Sequence, residues 1–343
     1  MAVISFKPKQ VTKRLLSNLQ DRSHDIIVGR FGLGENADTK TLEAIGKKYG
    51  ITRERVRQIE NAALGAIRKS DTFKAEHKVF SELKSIVEAM GALVHEDDFL
   101  SYVSKDKSVQ NHVRFYLVLG DHFEKLKEDE HFHPRWSVDT DLSEAVHDAL
   151  HSIYHSLSDK ELLSEDDLVK RFLNEVKDVA AQYKSEEVAR RWLGISKRIG
   201  KNPLGEWGPA DSQNIKTRGI KDYAFLIMRK PGSPMHFREV AKAIQDTFGK
   251  KTHIATTHNE LIKDSRFVLV GRGYYALAEW GYKPGVVREV IAEILKKDGP
   301  MAKEEIVERV LKERFLKKNT ILVNLQNPKY FKKLSDGRYT TAS

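Results

Sequence analysis

Residues 41–69 carry the pattern of two helices joined by a tight turn, which constrains the fold of this chain more than any other segment. Thr41 is a predicted N-cap of the first helix, in which Leu42, Ile45 and Tyr49 share one apolar face. Gly50 stands where a helix ends through a left-handed residue. The pair predicts a helix-turn-helix, a motif that can place its second helix in the major groove of DNA.

The second helix of this motif has two different faces. Thr52 is its predicted N-cap, and Val56 and Ile59 face inward together with Ala63 and Ile67 further along. The opposite face at the N-terminal end is polar, and arginine and glutamine there can make paired hydrogen bonds to base edges. The residues predicted to contact DNA are Thr52, Arg53, Glu54, Arg55, Arg57 and Gln58.

The segment LEAIGKKYGITRERVRQIENAAL resembles region 4.2 of the sigma-70 family of bacterial sigma factors. The preceding segment, LSNLQDRSHDIIVGRFGL, is similar to region 4.1, so that the resemblance covers about residues 8–70. In that family the domain binds the promoter −35 element and the flap tip of the RNA polymerase β subunit. The resemblance implies that Arg53, Glu54, Arg57 and Gln58 read bases, whereas Arg55 contacts the DNA backbone or the flap.

The chain also departs from a complete sigma factor. In the family an aromatic-rich promoter-melting region precedes region 4, but here only seven residues precede the first predicted helix, at Pro8. We therefore expect that this chain does not open promoters alone.

Composition narrows the class of protein. With 343 residues, 40% of them hydrophobic and 31% charged, the chain is expected to form two or more domains with highly charged surfaces. The net charge of +10 and the isoelectric point near 9.4 favour a polyanionic partner. No cysteine, membrane-spanning run or signal-peptide core is recognised, so the predicted location is the cytoplasm, at the nucleoid and without a membrane partner.

After residue 73 a pattern of three helices and a β-ribbon recurs about every 65–70 residues, as in winged-helix domains. The predicted fold class is mainly α, with tandem helix-turn-helix and winged-helix modules that carry small β-ribbon wings. Trp136, Trp207, Tyr275 and Tyr339 are predicted at corresponding ribbon positions of four modules, each with its own core. The predicted domains are residues 1–73, 74–140, 141–211, 212–281 and 282–343.

The fourth of these domains, residues 212–281, has a resemblance of its own. PGSPMHFREVAKAI followed by SRFVLVGRGYYAL resembles the HARE helix-turn-helix, over about residues 217–280. This winged-helix family occurs in the δ subunit of bacterial RNA polymerase, in restriction endonucleases and in chromatin proteins. The resemblance implies binding either to DNA or to polymerase, and both alternatives stay open.

Charge separates the modules into two classes. The five predicted domains carry net charges of +6, −4, −4, +6 and +6 in chain order. Because binding to the phosphate backbone needs clustered lysine and arginine, the basic modules are the predicted DNA binders and the acidic ones are spacers or protein-binding modules. The predicted contacts precede the third helix or line the wing of each basic module: Lys250, Lys251, Thr252 and Arg272 in one, and Lys317, Lys318, Lys332 and Lys333 in the other.

Motifs for catalysis were not found. The chain lacks the phosphate-binding GxxxxGK[ST], the GxSxG and the HExxH patterns, so we predict no enzymatic activity and no cofactor. His131 and His133 beside Asp129 offer metal-ligand atoms, but such a pair in a polar turn is more often solvated, and no metal is predicted. The acidic runs at 96–98 and 165–167 are predicted to stabilise the N-termini of helices.

Two function classes remain open from the sequence. The first is a bacterial transcription regulator that recognises a −35-like promoter element and contacts RNA polymerase. The alternative is a δ-like accessory protein of RNA polymerase, in which the modules mainly bind protein.

Overall fold

The structure is a computed structural model that describes residues 4–158, 161–176, 179, 181–282, 285–314 and 316–342. The chain forms two compact units. The first comprises the residues up to Gly200 together with Trp207–Ala210, and the second comprises Lys201–Glu206 together with the residues from Asp211 onwards. The secondary structure is mainly helical with small antiparallel strand pairs, as the sequence predicted.

The first unit begins with helices that include the predicted helix-turn-helix. These are α1 (Pro8–Leu16), α2 (Asp21–Phe31), α3 (Leu42–Tyr49), α4 (Arg53–Lys69) and the short α5 (Asp71–Ala75). Ile26, Ile45 and Val56 form a small buried cluster that joins α2, α3 and the first half of α4. The second half of α4 packs elsewhere, as described below, so that this 17-residue helix belongs to two cores.

Residues 76–138 contain the first winged-helix repeat. Its elements are α6 (His77–Ala89), β1 (Leu93–His95), α7 (Glu96–Val103), α8 (Lys107–Leu119), β2 (Glu124–Leu126) and β3 (Arg135–Ser137). The three strands form an antiparallel sheet in the order β1-β3-β2. The second repeat follows with α9 (Thr140–Ser156), α10 (Glu165–Glu175), a 3-10 turn (Ala181–Tyr183), α11 (Glu186–Leu193), β4 (Ile199–Lys201) and β5 (Trp207–Pro209).

The second unit contains two more repeats of the same element order. The third repeat has α12 (Ile220–Arg229), β6 (Met235–His236), α13 (Phe237–Phe248), α14 (Ile254–Lys263), β7 (Phe267–Gly271), β8 (Tyr274–Leu277) and a 3-10 turn (Ala278–Trp280). Its strands form a sheet in the order β6-β8-β7. The fourth repeat has α15 (Val287–Asp298), α16 (Lys303–Glu313), α17 (Lys318–Leu325), β9 (Phe331–Lys333) and β10 (Tyr339–Thr341).

One cross-strand pair recurs in all four repeats and confirms the predicted positions of the ribbon aromatics. In each repeat an apolar residue just before the second helix pairs with an aromatic residue on the last strand. The four pairs are Val94 with Trp136, Leu163 with Trp207, Met235 with Tyr275, and Met301 with Tyr339. Direct cross-strand contacts of this kind are a unit of sheet stabilisation, so the pair fastens each wing to its helices.

In the two acidic repeats this aromatic residue also reaches the second helix. The indole N–H of Trp136 donates to the Glu96 carboxylate at 2.8 Å, and that of Trp207 donates to Glu165 at 3.3 Å. Both glutamates are the first residue of their helix. The acidic runs therefore lie at helix N-termini, where they were predicted, and their first carboxylate also binds the wing.

The expectation of a separate core for each module is wrong in the first unit. Residues of α1 and α4, among them Leu15 and Ile67, belong to the same buried cluster as Phe115 and Tyr116 of α8. The core of the second repeat likewise includes Leu93 and Phe132 of the first. By contrast, the third and fourth repeats each have a cluster drawn from their own residues, together with Leu204 at the third.

Candidate nucleic-acid interface

Caps at both helices define the geometry of the helix-turn-helix. The Thr41 hydroxyl accepts a hydrogen bond from the Ala44 amide at 3.1 Å, and the Thr52 hydroxyl accepts one from the Arg55 amide at 3.2 Å. Gly50 ends α3 in the left-handed region, with φ of 63°. These three features were predicted from the sequence, and together they fix where α4 begins.

The two helices approach closely at Gly46, inside α3. A Cβ at this position would lie 2.6 Å from the carbonyl oxygen of Ile51, a backbone atom of the turn. Only glycine therefore allows the turn to fold back over α3. The sequence did not single out this residue, because a glycine inside a helix has no distinct pattern of its own.

The N-terminal end of α4 presents its polar side chains to solvent. Arg53, Glu54, Arg55, Arg57 and Gln58 are all exposed, and Val56 between them is fully buried. This end of a helix-turn-helix is the part that reaches base edges. The arrangement is therefore geometrically suited to reading DNA.

The exposed side chains of α4 bind one another. The Arg57 guanidinium donates two hydrogen bonds to the Glu54 carboxylate, at 3.0 and 2.7 Å, and Arg55 donates one to Gln58 at 3.0 Å. The hydrogen bond from Arg57 lowers the pKa of Glu54 below its ordinary value. Glu54 thus stays an acceptor at neutral pH, and since exposed pairs are screened by solvent, they can exchange for contacts to bases.

The third helix of the first repeat, α8, is covered by the helix-turn-helix domain. Asn111 donates to the carbonyl oxygens of Gly32 and Ala37 at 3.0 and 2.9 Å, and His112 is hydrogen-bonded to Thr12 at 2.8 Å. Eight of its residues are buried: Ser108, Asn111, His112, Val113, Phe115, Tyr116, Leu117 and Leu119. In a winged helix the third helix is the one that enters a groove, so α8 has no free face for that role.

The third helix of the second repeat, α11, is covered as well. The Trp192 indole donates to the carbonyl oxygen of Gly91 at 3.2 Å. A Cβ on Gly91 would lie 2.6 Å from the Val188 side chain, which shows how closely α11 packs on the first repeat. The guanidinium of Arg191 lies over the Tyr102 ring, 5.6 Å from its centroid.

The corresponding helices of the second unit are far more exposed. The buried residues of α14 are Thr257 and Leu261, and those of α17 are Ile321 and Leu325. Ile254 and Ile262 on α14 and Val323 on α17 are exposed large apolar residues. The exposed third helices thus lie in the basic repeats, and the covered ones lie in the acidic repeats.

The predicted contacts of the third repeat are placed in two groups. Lys250 and Lys251 are exposed just before α14, and the Lys250 ammonium lies over the Tyr223 ring, 4.5 Å from its centroid. The Thr252 hydroxyl is hydrogen-bonded to the buried Thr257 at 3.2 Å, which gives Thr252 a structural partner. Arg272 is exposed at the wing tip.

The predicted contacts of the fourth repeat lie at two places on its surface. Lys317 is the N-cap residue of α17 and Lys318 its first residue, and both are exposed. Lys332 and Lys333 on β9 are also exposed, opposite Thr340 and Tyr339 of β10. Neighbouring strand residues point to opposite faces, so the two wing lysines extend in different directions.

A groove of about 650 Å³ brings two of these predicted residues together across the third and fourth repeats. It is lined by Arg272 and Tyr274 of the third repeat and by Leu316, Lys317 and Thr320 of the fourth. Tyr274, Leu316 and Thr320 were not predicted. Nothing in the sequence marks them, because they lie more than 40 positions apart and meet only in the folded unit.

The Asp129 carboxylate beside the candidate metal histidines is already engaged. It accepts hydrogen bonds from the amides of His131 and Phe132 and from the guanidinium of Arg135. Within the part of the chain that the structure describes, no group of three metal-ligating side chains is found. In the same residues, no helix has the length and apolar character to cross a bilayer.

Comparisons with known proteins match two parts of the chain. Residues 15–69 match the family model described as Sigma-70, region 4, and residues 218–280 match the HARE-HTH model, which describes a helix-turn-helix domain of ASXL and restriction endonuclease proteins. A 56-residue segment is 50% identical to an RNA polymerase sigma factor RpoS of Coxiella burnetii (strain RSA 493 / Nine Mile phase I). That segment covers 16% of this chain and 16% of the relative. The chain therefore carries a sigma-70 region 4 domain, which contains the exposed N-terminal end of α4, and a HARE-type helix-turn-helix domain, which contains α14 and its wing.

Proposed function

We propose that this protein is a bacterial DNA-binding transcription regulator. Its sigma region 4 domain reads a −35-like promoter element through Arg53, Glu54, Arg57 and Gln58, and it contacts the RNA polymerase core at the β flap. The observation that carries this proposal is the exposed polar end of α4 on a helix held by the Thr52 cap. The family match over residues 15–69 supports the same role.

The two basic repeats extend this function to flanking DNA. Lys250, Lys251 and Arg272 in the third repeat, and the four lysines predicted in the fourth, bind phosphates weakly and with little sequence preference. The acidic repeats act as spacers or protein-binding modules, since α8 and α11 are both covered. We assign no catalytic reaction, and place the protein in the cytoplasm at the nucleoid.

A second candidate is an RNA polymerase accessory protein whose modules mainly bind protein. The exposed Ile254 and Ile262 on α14 favour it, because their side chains are 48% and 61% exposed on a helix with a single lysine. Apolar side chains on an accessible helix suit a protein surface better than the phosphates of DNA.

The experiment measures binding of the intact chain to duplexes with and without a −35-type element, over a series of salt concentrations. The intact chain is needed because residues 1–73 share a core with α8. Gln58→Ala should weaken binding to the −35-type duplex by about 5- to 150-fold, which corresponds to about 1–3 kcal/mol, and leave random duplex unaffected.

Gln10→Ala is the matched control, because Gln10 is an exposed glutamine on α1 of the same domain. Equal losses on the two duplexes would contradict base reading by Gln58. Association with RNA polymerase without any preference among the duplexes would put the accessory protein first.

A further inference from the structure

The wing of the third repeat is fastened to the fourth repeat by a buried arginine. Arg314, just after α16, is only 2% exposed. Its guanidinium donates to the carbonyl oxygen of Leu269 on β7 at 2.8 Å, and to that of Gly285 at 2.7 Å. Because a buried charge is costly without hydrogen bonds, this contact holds the two repeats in a defined arrangement.

The groove beside this contact carries two cations from different repeats. Arg272 comes from the wing tip, and Lys317 comes from the start of α17. Tyr274 and Leu316 add apolar surface, and Thr320 adds a hydroxyl. The lining residues that the structure describes include no carboxylate. Cations, a hydroxyl and apolar surface in one groove match the phosphates and sugars of a nucleic-acid strand.

We propose that this groove is a composite site for the backbone of one DNA strand. Arg272 and Lys317 bind the same phosphate or adjacent ones, Thr320 donates its hydroxyl to a phosphate oxygen, and the deoxyribose packs against Tyr274 and Leu316. The inference rests on the proposed binding of DNA by the basic repeats and adds that the third and fourth repeats bind as a single body.

The charge of the surrounding modules favours DNA over an acidic peptide. Residues 212–281 and 282–343 each carry a net charge of +6. Excess positive charge that extends over two modules suits a polymer with a phosphate at every nucleotide. A short acidic segment of a protein would need only the groove itself.

The sharpest test places a negative charge inside the groove and an equal one just outside it. Thr320 lines the groove, whereas its neighbour Asn319 does not, and both are exposed in the first turn of α17. Glutamate is favourable near a helix N-terminus, so Thr320→Glu and Asn319→Glu should both fold. We expect Thr320→Glu to weaken binding of the intact chain to random duplex about tenfold, and Asn319→Glu no more than about threefold. Equal effects of the two substitutions would overturn the composite site.

A second test asks whether the two cations act together. Arg272→Gln and Lys317→Gln are combined, with Lys242→Gln as a control at an exposed lysine of α13 outside the groove. In a shared site the double variant should bind no more than about twofold more weakly than the weaker single variant. Losses that multiply would mean two independent sites, and would overturn the composite site while DNA binding stands. A wild-type chain that fails to bind random duplex at low salt would overturn both proposals.

Discussion

The side-chain amide of Asn111 donates a hydrogen bond to the carbonyl oxygen of Gly32 at 3.0 Å, and this bond joins residues 79 positions apart. Asn111 lies on α8 of the first winged helix, and Gly32 ends α2 of the sigma region 4 domain in the left-handed region. A Cβ on Gly32 would lie 2.6 Å from the Asn111 amide nitrogen. The two domains therefore fit at this point only around a glycine, and α8 is used for internal docking.

Asn111→Ala should destabilise the first unit. The substitution leaves the carbonyl oxygens of Gly32 and Ala37 without this donor in a buried interface, and we expect a loss of about 1–3 kcal/mol in the free energy of unfolding. Chemical denaturation of the intact chain measures it. Asn18→Ala is the control, since the Asn18 amide bonds to Thr72 at the surface and should matter far less. Equal midpoints for both variants would argue against a docked α8.

Gly46→Ala should distort the helix-turn-helix, and Gly65→Ala should not. The new methyl at position 46 meets the Ile51 carbonyl oxygen at 2.6 Å, whereas at position 65 of α4 it meets no atom within 4 Å. We expect Gly46→Ala to cost about 1–3 kcal/mol of stability. Alanine is the better helix former, so Gly65→Ala should stabilise by up to about 1 kcal/mol. Thermal unfolding compares them, and equal melting temperatures for the two variants would contradict the close approach at Gly46.

Stability should fall between pH 6.5 and pH 4 because of His147. Its Nε2 accepts a hydrogen bond from Arg135 at 2.8 Å, so the ring must be neutral there. Burial and the charge of Arg135 lower the pKa of His147 from 6.5 to about 4, with His151 acting the same way and Asp129 and Asp148 opposing. The unfolded chain thus binds a proton first as the pH falls, and the stability present above pH 6.5 is lost, by about 2 kcal/mol.

Denaturation at pH 7 and pH 5 measures this loss. His147→Gln, which keeps a neutral acceptor for Arg135, should show a smaller difference between the two pH values than the wild type. His122→Gln at an exposed histidine should match the wild type. An unchanged difference in His147→Gln would mean that other groups carry the pH dependence.

Replacing Lys317, Lys318, Lys332 and Lys333 with alanine should flatten the salt dependence of DNA binding. Each lysine that neutralises a phosphate adds about one unit to the slope, so we expect a decrease of up to about four. Binding of the intact chain to random duplex over a range of salt concentrations gives this slope. An unchanged slope would mean that the fourth repeat faces a protein, and would favour the accessory role.

Local signals made much of this fold predictable from the sequence. Thr41, Gly50 and Thr52 act through hydrogen bonds and backbone angles within a few residues, so their roles could be read directly. The ribbon aromatics could also be aligned, since Trp136 and Tyr275 recur at the same point of a repeated pattern. The exposed end of α4 followed from the helical spacing of Val56 and Ile59 around it.

The tertiary structure alone decided which surfaces stay free. The sequence of α8 reads as an ordinary third helix of a winged domain, and it is covered because Asn111 meets backbone carbonyls far away in the chain. The meeting of Arg272 and Lys317 in one groove likewise depends on how two repeats dock around Arg314. Capping and periodicity act over about ten residues and leave a mark in the sequence. Docking depends on shape and on backbone partners that every residue type offers, and so it has no local signature.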